Sequence, residues 1–275
     1  MTDNAQFDGS IPEYYDRHLG PLLFDPFARD LAGRLRLPPA ARVLEVACGT
    51  GILTRRVRLE LPPGSVLIAT DLNAPMLDFA RNRAAIGKGV EWKQADAMEL
   101  PFEDEEFDAV LCQFGVMFFT DQPKAMLQVL RCLKPGGRFL FNTWGPLKAN
   151  PLAETAHDIV TQHFPENPPD FYRVPYGLHD THRLRRLLVN AGFEDIDMEI
   201  VLKKARATSA LHAAEGLIRG NPIIHAIRER DAAMEQPIVE ALAALLSERF
   251  GDDPMRVTME ARVIGARRPG MVAPD

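Results

Sequence analysis

Five short apolar runs, set apart by turns and helical patterns, decide what residues 42–144 can fold into. Val43-Leu44-Glu45-Val46, Val66-Leu67-Ile68-Ala69, residues 90–95, Ala109-Val110-Leu111-Cys112 and Phe139-Leu140-Phe141 each read as a strand that is apolar on both faces. Such strands need cover above and below, so the pattern predicts a parallel sheet between two layers of helix. Helices are expected over 52–60, after the second strand where Leu77, Ala80 and Ala84 recur at helical spacing, and where Met126, Leu127, Leu130 and Leu133 share one face. Pro135-Gly136-Gly137 is expected to stop the last of these.

The period changes in the last third. Ile196, Met198, Ile200 and Leu202 alternate with Asp197, Glu199 and Val201, and Val257, Met259, Ala261 and Val263 alternate with Thr258, Glu260 and Arg262. Both stretches read as half-exposed strands that pair antiparallel at one sheet edge. Helices over 209–219 and 237–250 fall between them, the second opened by Pro237 and closed by Gly251. Residues 14–37, apolar at Leu22, Leu23, Phe27, Leu31 and Leu35, read as one or two helices packed outside the sheet. The expected organisation is a helical lid over 1–41 and one large domain over 42–275, with cap insertions at about 145–190 and 207–255. Four prolines between Pro165 and Pro175 mark a loop in the first insertion.

Composition narrows the class of partner. At 275 residues, 46% hydrophobic and 25% charged, the chain matches ordinary globular proteins. Its longest apolar stretch, 107–119, is broken by Asp108, Gln113 and Gly115 and is shorter than the roughly 18 residues a bilayer requires. No integral membrane segment is therefore expected. Residues 1–16 lack the basic and apolar regions of a secretory leader, which makes the cytoplasm the expected location. The formal net charge of −6 counts against nucleic acid as a partner. Cys48, Cys112 and Cys132 form no close pair, so neither a disulfide framework nor a metal site is indicated.

Chemistry enters at residues 43–51, VLEVACGTG, where a strand runs straight into a glycine-rich turn and then a helix. Gly49 and Gly51 let a ligand approach the backbone closely, and in an open parallel sheet this turn lies where ligands bind, at the carboxyl ends of the strands. The dinucleotide fingerprint would need a third glycine where Thr54 stands, and the Gly-Lys-Ser/Thr ending of a phosphate-binding loop is absent. Asp71 ends the second strand, twenty residues beyond Gly51. A carboxylate there can accept both hydroxyls of a ribose, or alternatively cap the helix that starts near Ala74. Asp96, at the end of the third strand, can accept from an exocyclic amine or simply belong to a loop.

These features in register resemble the class I S-adenosylmethionine (SAM) dependent methyltransferases, in particular the small-molecule branch that includes the ubiquinone and menaquinone biosynthesis enzymes. The resemblance spans about 42–144 and rests on VLEVACGTG, ATDLNAPML, KQADAMELPFEDEEFDAV and LRCLKPGGRFLF, in that order. It implies a Rossmann-like α/β fold, a seven-stranded, mostly parallel sheet with helices on both faces and an antiparallel last strand. It implies SAM as cofactor. Glu45, Ala47, Gly49 and Gly51 would hold the methionine part, Asp71 the ribose, Leu72 and Met76 the adenine, and Asp96 with the Ala97 backbone the adenine amine. Gln113 would face the methionine moiety and the incoming substrate. Ala47 departs from the family's usual glycine, which a negative φ at that residue would tolerate in a slightly tighter turn.

The expected reaction is direct in-line transfer of methyl to a small, apolar or aromatic molecule. Gln113-Phe114-Gly115-Val116 replaces the Asn/Asp-Pro-Pro-Tyr/Phe of enzymes that act on nucleobase amines, and no carboxylate cluster suited to magnesium stands out. Phe114, Met117, Phe118 and Phe119 give the mouth of the fourth strand an apolar character. Tyr15, Phe114, Phe118, Tyr172 and Tyr176 are the substrate-binding candidates, with Tyr14, His18, His179 and His225 as further polar groups near the covers. No catalytic base is assigned. The alternatives are a SAM-binding module without turnover and a phospholipid or protein methyltransferase; a homodimer is compatible with the sequence.

Overall fold

The computed structural model describes residues 6–83 and 89–270. Seven strands form one sheet: β1 Arg42–Val46, β2 Val66–Asp71, β3 Val90–Gln94, β4 Phe107–Gln113, β5 Leu133–Trp144, β6 Glu194–Ala207 and β7 Met255–Arg267, in the order β3-β2-β1-β4-β5-β7-β6. β1 to β5 are mutually parallel, and β7 runs antiparallel between β5 and β6. The two alternating stretches of the last third therefore close one edge of the sheet. Chain order reverses between β1 and β4, which opens a crevice at their carboxyl ends.

Helices flank the sheet. They are α1 Ile11–Tyr14, α2 Asp25–Gly33, α3 Ile52–Glu60, α4 Ala74–Arg81, α5 Gln122–Cys132, α6 Pro151–His163, α7 Thr181–Ala191, α8 Ala210–Arg219, α9 Ile223–Asp231 and α10 Glu235–Phe250. α2 packs on α3 and reaches β5 and β6, whereas α5 packs on α7, so the sheet is covered from both sides. Val43, Leu44, Leu67, Val110, Leu111, Phe139 and Phe141 are all buried between these layers. Burial of this kind stabilises by ~1.5–3 kcal/mol per side chain. No helix among the described residues is long and apolar enough to cross a membrane.

Three local readings of the sequence differ from the structure. β3 is not apolar on both faces: it is the sheet's other edge, and Glu91, Lys93 and Gln94 are exposed. Helix α5 ends at Cys132, so Leu133 belongs to β5 rather than to the helix face. Pro135-Gly136-Gly137 lies inside β5, where the register with β4 jumps from Phe107↔Leu133 to Ala109↔Arg138. The turn residues are absorbed as an irregularity in the strand, with Gly136 at φ +76°. α4 is described to Arg81, and Ala84 lies outside the described residues.

The N-terminal segment is helical, from α1 through a π-helical stretch, Tyr15–Phe24, into α2. Ion pairs tie it to α3. Buried Asp16 meets Arg55 at 3.2 Å and also Arg83, and Asp25 meets Arg56 at 2.6 Å. The π-helical stretch also packs on α8, whose first turn is capped by Ser209 accepting from the His212 amide at 3.1 Å. These contacts set the segment over the carboxyl ends of β1 and β4.

Candidate active site

β1 ends in a turn whose backbone is left-handed at three positions, Ala47 at φ +55°, Gly49 at +56° and Gly51 at +77°. Gly51 is the residue from which α3 starts. The negative φ expected for Ala47 is thus not observed: alanine occupies a conformation that costs roughly 1–2 kcal/mol relative to glycine. The turn is fixed from outside. The Cys48 amide donates to the Thr70 carbonyl at 2.9 Å, and the Gly49 amide donates to Asp71 Oδ2 at 2.8 Å. Opposite Ala47 stands Gly115, where a Cβ would come within 2.6 Å of the Ala47 methyl and 2.7 Å of Cys112 Sγ.

A cleft of about 620 Å³ opens above this turn, lined by Ala47, Gly49, Asp71, Leu72, Met76 and Gln113 from the sheet side and by Phe7 and Tyr15 from the N-terminal segment. Asp71 is 6% exposed. Its carboxylate spends one oxygen on Gly49 and the other on the Asn73 amide, also at 2.8 Å. That second bond is a local turn two residues on, not a helix cap; the remaining lone pairs are available to a ligand's hydroxyls. Burial raises the Asp71 pKa above the usual carboxylate value, partly offset by the amides of Asn73 and Gly49. Gln113 Nε2 donates to the Phe24 carbonyl at 3.3 Å, while its buried Oε1 has no partner.

At one end the cleft continues, through the shared walls Ala47, Leu72, Phe118 and Phe119, into a compartment of about 580 Å³ at the tip of β3. Asp96 and Ala97 line it; Asp96 Oδ1 accepts from the Met98 amide at 2.8 Å. At the other end Phe7, Tyr15, Phe114 and Phe118 are shared with an aromatic chamber of about 460 Å³. Trp144 lies flat on Phe114, ring centroids 3.8 Å apart, and stacks on Tyr176 at 5.7 Å. Tyr172 closes the chamber and donates its hydroxyl to the Leu217 carbonyl at 2.6 Å. All five substrate-binding candidates thus meet at this chamber, and all ten cofactor candidates except Glu45 and Gly51 line one of the two adjoining compartments.

Glu45 lies one layer beneath the turn, 1% exposed, with Oε2 unpartnered. Burial pushes its pKa up to about 8, against the pull of Thr54 and Arg55. Cys48 and Cys112 are buried beside it with pKa values raised by burial, Cys112 to about 12, which leaves them as thiols. The remaining polar candidates are engaged away from the chamber. His18 is buried with Nδ1 against the His212 carbonyl, His179 Nδ1 meets the Tyr176 carbonyl, Tyr14 stacks on His18, and His225 faces Asp8.

Phe7, Phe24, Asn73, Met98 and Trp144 escaped the sequence reading. Only Trp144, at the end of the fifth strand, carried a usable signal, because ligand-facing residues gather at strand tips. Phe7 reaches the cleft through tertiary contacts alone, edge-on to Tyr15 and Phe118 at 6.0 and 5.8 Å.

The cleft's inventory fits a nucleoside joined to an amino acid: a carboxylate for ribose hydroxyls, a second carboxylate beside an apolar slot, and an orphaned amide oxygen at the opposite end. Comparison with known proteins agrees. A methyltransferase domain family matches residues 44–141. The ubiquinone/menaquinone biosynthesis C-methyltransferase UbiE of Ectopseudomonas mendocina is 34% identical over 188 residues, covering 63% of this chain and 72% of that enzyme. Among solved structures, phosphoethanolamine N-methyltransferase 2 of Haemonchus contortus in complex with S-adenosyl-L-methionine aligns with a TM-score of 0.61 at 20% identity, over 97% of this chain and 59% of that one. The [4+2]-cyclase SpnF aligns with a TM-score of 0.59 at 23% identity, over 90% and 81% of the two chains. The chain belongs to the class I SAM-dependent methyltransferases. Within that class its sequence resembles the UbiE C-methyltransferases.

Proposed function

We propose that this enzyme moves the methyl group of SAM onto a small, uncharged apolar or aromatic molecule seated in the chamber bounded by Phe114, Trp144, Tyr172 and Tyr176. One observation carries the reading: the chamber adjoins the donor cleft through four shared side chains, and among the described residues no Asp, Glu, His, Lys or Arg lines it. A charged acceptor would lose its hydration there without a partner, at a cost of several kcal/mol.

SAM, when bound, supplies a methyl group already activated on a sulfonium sulfur. The chain's own task is to place and to dry. Asp71 would take the ribose hydroxyls, Leu72 and Met76 would flank the adenine, and Asp96 with the Ala97 backbone would read its amine edge. Gly49, Gly51 and Ala47 would let the methionine part lie against backbone, and Gln113 would offer its free oxygen, while Glu45 stays beneath the turn with its carboxyl protonated near neutral pH. Phe114 and Phe118 set the acceptor's approach, and holding two reactants in line contributes most of the acceleration such a reaction needs. The N-terminal helices act as a lid and 147–176 with 207–250 as a cap, keeping water from the transfer. The hydroxyls of Tyr15, Tyr172 and Tyr176 all have raised pKa values through burial, so none serves as a base at neutral pH. The acceptor is therefore one whose nucleophilic atom reacts without a strong base. An electron-rich ring carbon suits that chemistry, its proton leaving to solvent after the transfer, and the UbiE relatives are named as C-methyltransferases of ubiquinone/menaquinone biosynthesis. Action on a small molecule in the cytoplasm, rather than on nucleic acid, belongs to the same reading and is supported by the acidic net charge of −6.

Incubation with methyl-labelled SAM and a panel of quinols, phenols and amines tests it. Label is expected in a neutral aromatic product. Turnover of charged amines alone, or of no acceptor at all, would overturn the reading, the latter in favour of a binding module.

A further inference from the structure

The acceptor chamber is not apolar throughout. On the side away from the donor cleft it carries three polar side chains, Tyr172, Tyr176 and Asn221, none of which lines the cleft. Asn221 stands in the turn between α8 and α9 and is 9% exposed. Gly220 lets that turn close, since a Cβ there would lie 2.6 Å from the Gly216 carbonyl oxygen and 3.1 Å from the Tyr15 amide nitrogen. The Leu217 carbonyl accepts from the Tyr172 hydroxyl at 2.6 Å and from Asn221 Nδ2 at 3.0 Å, which occupies both of its lone pairs. A carbonyl can accept only from the nitrogen of a side-chain amide, so this bond fixes the orientation of Asn221 and leaves its Oδ1 over. That oxygen has no donor among the described residues. Tyr176, 6% exposed and stacked on Trp144, makes no side-chain hydrogen bond among them either, and burial alone raises its pKa. Buried polar groups are almost always paired, and an unpaired one weakens the fold unless a ligand meets it.

We propose that Tyr176 and Asn221 form a recognition pole for one hydroxyl group of the acceptor, at the end of the acceptor remote from the methyl donor. The inference rests on the reading of the chamber as the acceptor's seat. A hydroxyl both donates and accepts: its proton goes to Asn221 Oδ1, and its oxygen accepts from the Tyr176 hydroxyl. A carbonyl or an ether leaves Oδ1 unmet, and a plain hydrocarbon leaves both groups unmet. An ammonium or carboxylate finds no counter-ion, because among the described residues no charged side chain lines the chamber. The pole therefore selects alcohols and phenols within the neutral class. It also fixes which end of the acceptor points at the donor, so the hydroxyl that it holds is not the group that is methylated.

Two probes, 2-naphthol and naphthalene, test this by calorimetric titration into the full-length protein saturated with S-adenosylhomocysteine. The wild type should bind 2-naphthol ~10-fold more tightly than naphthalene. Tyr176→Phe removes one oxygen and keeps the ring, so it should weaken 2-naphthol by ~10-fold and leave naphthalene within about twofold. Asn221→Leu should act in the same way, with Tyr172 still donating to the Leu217 carbonyl. Equal binding of the two probes by the wild type, or an unchanged preference in either variant, would overturn the pole and leave the chamber as the acceptor's seat. Formation of 2-methoxynaphthalene from 2-naphthol and SAM would overturn it too, because the hydroxyl would then face the donor. Failure of both probes to bind would overturn the seat itself, and the pole with it.

Discussion

Ala47 and Gly115 face each other so closely that a Cβ on Gly115 would sit 2.6 Å from the Ala47 methyl. The two positions share the room of one side chain between the tips of β1 and β4. Gly115→Ala should therefore destabilise by about 1–3 kcal/mol and weaken donor binding. Ala47→Gly should stabilise by up to ~1 kcal/mol by relieving a left-handed alanine. Combined, the second change should recover part of the first, the remainder being the clash with Cys112. Urea unfolding of the four variants measures the coupling; strict additivity would contradict it.

Glu45 gives the ligand-free enzyme a pH signature. Its pKa is raised from 4.5 to about 8, so between those values the folded protein holds a proton that the unfolded chain has lost. Its contribution is fully present below pH 4.5 and is lost as pH rises through about 8. At ~1.4 kcal/mol per pKa unit, the loss amounts to several kcal/mol. Glu45→Gln removes this dependence, so the stability difference between variant and wild type should widen in the variant's favour from pH 5 to 9. A difference that stays flat with pH would show Glu45 ionised in the fold.

Trp144 contacts the acceptor chamber but not the donor cleft. Trp144→Phe should leave affinity for S-adenosylhomocysteine within about twofold while raising the acceptor's KM about tenfold. Equal losses of both would place Trp144 in the donor site.

The Tyr172 hydroxyl bonds the Leu217 carbonyl at 2.6 Å across the chamber wall, joining 147–176 to α8. Tyr172→Phe should cost ~0.5–1.5 kcal/mol, because the buried Leu217 carbonyl loses one of its two donors and keeps Asn221 Nδ2 at 3.0 Å. Thermal unfolding checks it; a change below a few tenths of a kcal/mol would mean that the hydroxyl is dispensable.

That most of the proposed donor-binding residues line one cleft was legible in the sequence because they stand at strand tips. Val43 to Val46, Val66 to Ala69 and the run before Asp96 announce buried or half-buried strands, and the residues that follow are held in register by the sheet. Ala47 was misjudged for a reason local sequence cannot express, since its φ depends on the bond between Gly49 and Asp71. Pro135-Gly136-Gly137 was misjudged because a stop for helix and a bulge in strand use the same residues. The acceptor half was legible only in character. Phe114 and Phe118 follow a strand, but Phe7, Phe24 and Tyr172 arrive from segments whose meeting is decided by long-range packing.

Calorimetric titration with S-adenosylhomocysteine, comparing wild type with Asp71→Asn, tests the central claim most directly. Tight binding to the wild type is expected, weakened by ~10- to 100-fold in the variant as hydrogen bonds to a buried carboxylate are lost, with NAD and ATP producing no heat. Equal affinity in the two proteins, or binding of NAD in place of S-adenosylhomocysteine, would contradict the account.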